Sequence, residues 1–265
     1  MSSNFFPARN VCCIITGASR GLGREIALQL ARLTVDRMDL VLTARSESDL
    51  MSLEEEIEQL APQVNVHNVL GSLDSKETLV RLDVEMKVRA DEGTFDQVVL
   101  IHNAGSLEDP DRLVTDYSHQ LLDVLNDYYC LNVTSFICLT ASFLSAFADV
   151  QNKVIVNISS LAGVQAMKGM SVYGSGKAAR DALIRSIARE NPDVRCISYA
   201  PGPLETDMAD TLRSKGYLKD FFEQKGNLLR PETTVKKMIA VLQANEYENG
   251  AHVDYYDLLS NTTDQ

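Results

Sequence analysis

In "SVYGSGKAARD" (171–181) a tyrosine and a lysine stand four positions apart among glycines, alanines and serines. On a helix that step stacks both polar groups on one face, and the small neighbours leave the backbone open to a close ligand. A free phenol ionises near pH ~10 and exchanges protons poorly at neutral pH. A lysine ammonium one turn away favours the phenolate, so Lys177 is expected to bring the Tyr173 value down. Ser160 ends the run "KVIVNISS", upstream of the tyrosine, and is suited to donate a hydrogen bond to a carbonyl oxygen. Taken alone, a tyrosine and lysine at this spacing are far more often a chance feature of an exposed helix.

A second constellation lies near the start of the chain. "TGASRGLG" (16–23) follows the apolar run "VCCIIT" and opens the amphipathic stretch "GLGREIALQLARL". Gly17, Gly21 and Gly23, with Ala18, Ser19, Arg20 and Leu22 between them, would let a pyrophosphate approach the backbone at a helix N-terminus. A merely tight strand-to-helix turn is the alternative. The next apolar run ends "TAR", and Arg45 stands after Ala44 where an acid would hold the ribose 2′-hydroxyl of NAD. Arg20 and Arg45 converging there would suit a 2′-phosphate, so NADP(H) is expected over NAD(H). Arg45 pairing with Glu47 or Asp49 is the other reading. With a nicotinamide dinucleotide in the cradle, Tyr173 becomes an acid for hydride transfer. Ser160 then orients the carbonyl, and Lys177 gives electrostatic support and holds a ribose.

The elements that must position these groups alternate along the chain. Strands are expected at 11–16, 39–44, 64–69, 97–102, 153–159, 195–200 and 251–254. Helical periodicity falls near 21–33, 47–60, 75–89, 120–148, 172–190 and 231–244. Several strands are apolar on both faces, as expected when helices cover both sides of a sheet. The fold class is therefore α/β: a doubly wound, Rossmann-type parallel sheet of about seven strands in a three-layer sandwich. Ligands in such sheets lie beyond the carboxyl ends of the strands, which is where every motif above falls. No linker or repeat divides residues 1–265, so one domain is expected.

Composition narrows the partners. A net charge of −12 argues against nucleic acid. "MSSNFFPARN" lacks the apolar core of a signal peptide, and no later run is expected to reach the ~20 residues of a spanning helix. The five cysteines form no metal-like spacing and read as small core residues of a cytoplasmic protein. The glycosylation-like triplets at Asn132 and Asn157 lie inside apolar elements and are set aside.

"TGASRGLG", "HNAG" (102–105), "NISS" and "YGSGK" occur in the order and spacing of the short-chain dehydrogenase/reductase family, which the chain resembles over nearly its whole length. The resemblance implies that Ser160, Tyr173 and Lys177 are catalytic and adds Asn132 of "CLNVTS", thought to hold a water beside the lysine. It implies that Asn103 keeps a cofactor position, and that His102, where asparagine is common, is a core or supporting residue. Ser72 replaces an adenine-binding aspartate, leaving backbone contacts from Leu73. Leu204, Glu205, Thr206, Asp207, Met208 and Ala209 are expected to touch the cofactor, and Gly202 to border the substrate. A narrower similarity, carried by "NISSLAG", "KAARD", "YAPGPLETDM" and "GAHVDYYD", is to family members that reduce pterin side-chain ketones with NADPH. It implies that Asp254 binds the pterin, whose adjacent N–H donors suit one carboxylate.

The stretch 203–230 reads as a lid over the substrate, or as a short helical pair packed on the core. Homodimerisation is implied through 120–148 and the helix of Tyr173. Reduction of another carbonyl, such as a diketone, is the rival activity. A non-catalytic NADP(H) sensor is the rival of another class.

Overall fold

The computed structural model describes residues 9–260 apart from Lys225. Seven strands form one parallel sheet: β1 (Asn10–Thr16), β2 (Arg37–Ala44), β3 (Val64–Leu70), β4 (Gln97–His102), β5 (Asn152–Ile158), β6 (Val194–Ala200) and β7 (Ala251–Asp254). Their order is β3-β2-β1-β4-β5-β6-β7, every neighbour parallel. The alternation within β1 shows how the layers arise. Cys13 and Ile15 pack toward α1 (Gly21–Ala31), α2 (Glu47–Leu60) and α9 (Pro231–Ala244). Cys12 and Ile14 pack toward α3 (Lys76–Glu92), α5 (Ser135–Ala146) and α6 (Ser171–Glu190). A strand apolar on both faces is stable only between two helical layers, and this one is.

The run expected as one helix over 120–148 is broken. It contains a short 3₁₀ turn at His119–Leu121, α4 (Leu122–Tyr129), a π turn at Cys130–Thr134, and α5. By length and composition 119–146 would also be apolar enough to cross a membrane, with a mean hydropathy of 1.4, contrary to the expectation above. Here its apolarity serves two faces. Phe136, Leu139 and Phe143 fill the core, while Leu122, Val124 and Ile137 are exposed. The cysteine expectation also needs correction: Cys12, Cys13 and Cys196 are buried, Cys130 is half-buried, and Cys138 is exposed on the outer side of α5 beside Ile137. Between β6 and α9, the stretch 203–230 folds as the helical pair α7 (Asp207–Ser214) and α8 (Lys219–Glu223), with Ala209 and Leu212 buried. Lys215 Nζ reaches Asp109 at 2.8 Å, and Gly216 N–H donates to Asp111 at 2.6 Å, fastening this pair to the loop after β4.

At the far edge of the sheet, fully buried Asp39 of β2 gathers β3 and α3. Arg37 grips it with two hydrogen bonds of 2.8 and 2.7 Å, and Asn65 donates a third at 2.8 Å. His67 and Arg89 stand 3.6 and 3.9 Å away. Burial alone would raise the Asp39 carboxyl, but nearby His67 and the hydrogen bonds from Arg37 and Asn65 outweigh it and hold the group well below the ordinary carboxylate range. Asp39→Ala strands these cations and is expected to cost about 3–5 kcal/mol in denaturant unfolding. The folded value is depressed, so the Asp39 contribution is complete above the unfolded value of ~3.9 and is lost as pH falls toward the folded one. Stability of Asp39→Asn should therefore fall less steeply than wild type below about pH 4.

Candidate active site

β1 and β4 lie side by side, but the chain leaves them toward opposite layers, and a cleft opens at their carboxyl ends. A knot of hydrogen bonds holds its floor. Asn103 Nδ2 donates to the carbonyls of Thr16 (2.8 Å) and Gly17 (3.0 Å), and Thr16 Oγ1 accepts from the Asn103 and Ala104 N–H groups at 3.0 and 2.9 Å. Asn103 thus fastens the glycine turn to β4. Gly17 has φ +66°, which favours glycine, and a Cβ at Gly23 would fall 2.2 Å from the Gly17 carbonyl oxygen. The turn can only be this tight with these residues.

The cleft is a cavity of about 910 Å³. Three residues singled out from the sequence do not line it. Ala18 is buried in the core, its N–H bonded to Thr43 O at 3.1 Å, because the turn must be pinned to β2. Glu205 has an exposed side chain and gives its N–H to Leu229 O at 3.0 Å. Asn132 lies behind the wall. All the other residues singled out line the cavity, from the glycine turn through Ala44, Arg45, Ser72 and Leu73 to Ser160, Tyr173, Lys177, Gly202, the α7 entry and Asp254. Phe221, from the stretch expected to cover the substrate, lines the far end together with Met167, Met170 and Tyr256, which the sequence did not single out.

Arg20 and Arg45 both line the cavity, and Arg20 is held within the protein. Arg20 Nη1 is 2.5 Å from Asp207 Oδ2, with both side chains largely exposed, so this ion pair spans the glycine turn and α7. Arg45 is exposed and has no ion-pair partner among the described residues, so the pairing with Glu47 or Asp49 is not adopted either.

Ser160 lies two residues beyond β5, and its Oγ accepts from Ala162 N–H at 3.2 Å. Its hydroxyl favours ionisation of Tyr173, on the first turn of α6. Lys177 Nζ donates to Ile158 O at 2.6 Å and stands 5.6 Å from the Tyr173 ring centre. The protein's own groups do not acidify Tyr173 overall. Burial pushes the phenol up, and the Ser160 hydroxyl and Arg180 charge only partly offset this. Lys177 is itself pushed down to about 7, first by burial and then by Arg180, with Asp181 opposing.

Asn132 is 3% exposed and owes its position to the π turn. The wider turn presents it to the loop after β4, a deviation from helix often found at functional sites. Its Oδ1 accepts from Ser106 N–H at 3.0 Å, and its Nδ2 donates to Ser106 Oγ and Tyr128 O at 3.1 and 2.8 Å. His102 is core, as expected: 2% exposed, bonded to Thr140 at 2.9 Å, and held well below the ordinary imidazole range by burial and then Arg180.

Two charged residues next to Lys177 on α6 escaped the sequence reading. Asp181 accepts from Asn157 (3.0 Å), Ser159 (2.9 Å) and His252 Nδ1 (2.9 Å), tying the ends of β5 and β7 to α6. Burial would raise its carboxyl, but hydrogen bonds from His252, Ser198 and Ser159 hold it down. Arg180 is 3% exposed. The available signal was spacing: Arg180 and Asp181 stand three and four residues after Lys177, on the face that carries it.

Residues 11–216 match the family model described as short chain dehydrogenase. Sepiapterin reductase of Meriones unguiculatus is 38% identical over 253 residues, covering 92% of this chain and 96% of that protein. Benzil reductase ((S)-benzoin forming) of Bacillus subtilis (strain 168) is 31% identical, covering 93% and 98%. Among solved structures, the KRED1-Pglu enzyme superposes with a TM-score of 0.79 at 28% identity, over 92% of this chain and 100% of its own.

With its proton lost near 7, Lys177 should react with an amine-directed acylating reagent through a midpoint near pH 7, read by peptide mass spectrometry. An ordinary lysine midpoint near ~10 would contradict the buried environment. Gly23→Ala should weaken dinucleotide binding by about tenfold or more, measured by titration calorimetry, since a loss of ~1.4 kcal/mol already gives that factor.

Proposed function

The chain belongs to the short-chain dehydrogenase family and is an oxidoreductase; within that family we propose that it uses NADPH to reduce the side-chain ketone of a pterin. The observation that carries this reading is one cavity lined at once by the glycine turn, by Ser160, Tyr173 and Lys177, and by the Asp254 carboxylate. The residues fit the cofactor. Gly17, Gly21 and Gly23 leave room for a pyrophosphate at the α1 N-terminus, and Arg45, with no ion-pair partner among the described residues, suits a 2′-phosphate. Bound there in reduced form, NADPH supplies the hydride.

The chain's own residues handle the proton and the fit. The substrate carbonyl oxygen accepts a hydrogen bond from Ser160 and the proton of the Tyr173 phenol, leaving a phenolate. The O–H bond of Tyr173 breaks as the alcohol O–H forms, and the nearby cations stabilise the negative charge left behind. Asn132, hydrogen-bonded to Ser106 and Tyr128, sets the loop beside Lys177 rather than touching the ligand. Asp254 Oδ1 is held by Tyr256 N–H at 2.9 Å, which orients the carboxylate toward adjacent N–H donors of a pterin. Met167, Met170 and Phe221 offer flat apolar walls for its ring. The 38% identity to a sepiapterin reductase over nearly the whole chain supports the pterin. The exposed Leu122, Val124 and Ile137 of α4 and α5 support pairing of two copies through that layer.

A second reading, reduction of an aromatic diketone, is favoured by the same apolar walls and by the benzil reductase relative. Asp254→Ala should cost about tenfold or more in kcat/KM for sepiapterin and little for benzil; equal losses on both would remove the case for a pterin. Tyr173→Phe should lower kcat on either substrate by about 10²–10⁴-fold. Arg45→Ala should erode the preference for NADPH over NADH by about tenfold or more, seen as a rise in KM for NADPH alone.

A further inference from the structure

Pro110 is buried, although acidic residues flank it on both sides in "SLEDPDRL" (106–113), the loop after β4. What covers it comes from two other loops. A Cβ built on Gly169, before α6, would fall 2.6 Å from the Pro110 carbonyl oxygen and 2.6 Å from Tyr217 Cδ2. One built on Gly216, after α7, would fall 2.9 Å from Pro110 Cβ. Both glycines have positive φ, +77° and +93°, where a side chain is strained even with space around it. Two glycines from separate loops therefore form one socket for one proline.

Polar contacts close the socket from outside. Lys215 Nζ lies 2.8 Å from Asp109 Oδ1, Gly216 N–H donates to Asp111 Oδ1 at 2.6 Å, and Lys168 Nζ stands 4.3 Å from the Tyr217 ring centre. Arg112 and Tyr117 both hold Glu108, the arginine at 2.6 Å, which braces the proline loop against itself. An ion pair as exposed as that of Lys215 with Asp109 contributes little alone, so the shape of the socket is the main restraint.

Each of the three loops also supplies wall to the cavity. Leu107 adjoins Glu108, Met167 and Met170 flank Lys168 and Gly169, and Leu218 follows Tyr217; all four line it. We propose that Pro110, seated between Gly169 and Gly216, is the centre of a clasp that joins the three loops and fixes this apolar wall, which makes Pro110 and Gly216 positioning residues for the carbonyl substrate. This rests on the reading of the cavity as a ketone-reducing site. A wall set before the substrate arrives spares it the ordering of three loops, so the clasp acts on substrate affinity. Ser160, Tyr173, Lys177 and the glycine turn lie outside the socket, and they set turnover at saturation and cofactor affinity.

Amide hydrogen exchange by mass spectrometry, on the protein with no ligand, reads the clasp directly. Gly216→Ala forces a Cβ into the socket, and Asp111→Ala removes the acceptor of the Gly216 N–H from the opposite loop. Either should speed exchange about tenfold in all three loops, 106–113, 164–170 and 211–222, and leave the turn at 16–23 unchanged. Gly226 is the control. Its φ of +97° strains an alanine equally, yet nothing lies within 4 Å of its Cβ, so Gly226→Ala should match wild type outside its own peptide.

Kinetics at saturating NADPH then follow the wall. Both clasp variants should raise KM for sepiapterin and for benzil by about tenfold, while kcat and the calorimetric affinity for NADPH stay within about twofold of wild type. Exchange that quickens only in the substituted loop, or a KM unchanged once all three loops have loosened, would overturn the proposal. So would an equal rise in KM for Gly226→Ala, which would mark simple backbone strain. If wild type reduces neither ketone, the functional reading fails, while the exchange data still decide whether the clasp holds the three loops.

Discussion

A parallel sheet whose crossovers part between β1 and β4 leaves a cleft there, and the bonds from Asn103 to Thr16 and Gly17 keep that cleft in shape. They replace the ladder where β1 and β4 end, and they pin the glycine turn against the loop that carries Ser106. The turn therefore cannot shift without moving the contact between Ser106 and Asn132, nor Asn132 without moving the π turn. The glycine turn, Asn103, Ser106 and Asn132 are one mechanical unit. That is why Gly23 has no room for even a methyl group.

Beside this unit the dominant energetic feature is buried charge. Lys177, Arg180 and Asp181 occupy consecutive levels of one face of α6, each less than a tenth exposed. Asp181 is satisfied by three donors from β5 and β7, so it anchors the helix to the strand ends. Lys177 has one carbonyl and Arg180 has two, and both are driven toward their neutral forms by the same desolvation. The three charges are unequal in kind. One fastens the scaffold, one titrates near neutrality, and one stays positive throughout the neutral range.

The apolar run 120–148 shows a different economy. A sequence of this hydropathy could have been a single helix with core on all sides. Instead the π turn rotates α5 relative to α4, so Phe136 and Phe143 face the sheet while Leu122 and Val124 face outward. The same turn delivers Asn132 to the loop after β4. Cys138 and Ile137 are exposed for the same reason, since a helix in an outer layer has only one face against the core.

Strand and helix order, the glycine turn and the pairing of Tyr173 with Lys177 were legible in local pattern, because periodicity and short spacing are properties of neighbouring residues. Ser160 and Asp254 could be placed at strand ends for the same reason. What local pattern could not carry was any relation set by residues far apart in the chain. The partnership of Arg20 with Asp207, the withdrawal of Asn132, Ala18 and Glu205 from the cavity wall, and the rise of the Tyr173 phenol depend on burial and on charges from other elements. Desolvation is a property of the packed molecule, and it raises the Tyr173 phenol against the groups that favour its ionisation.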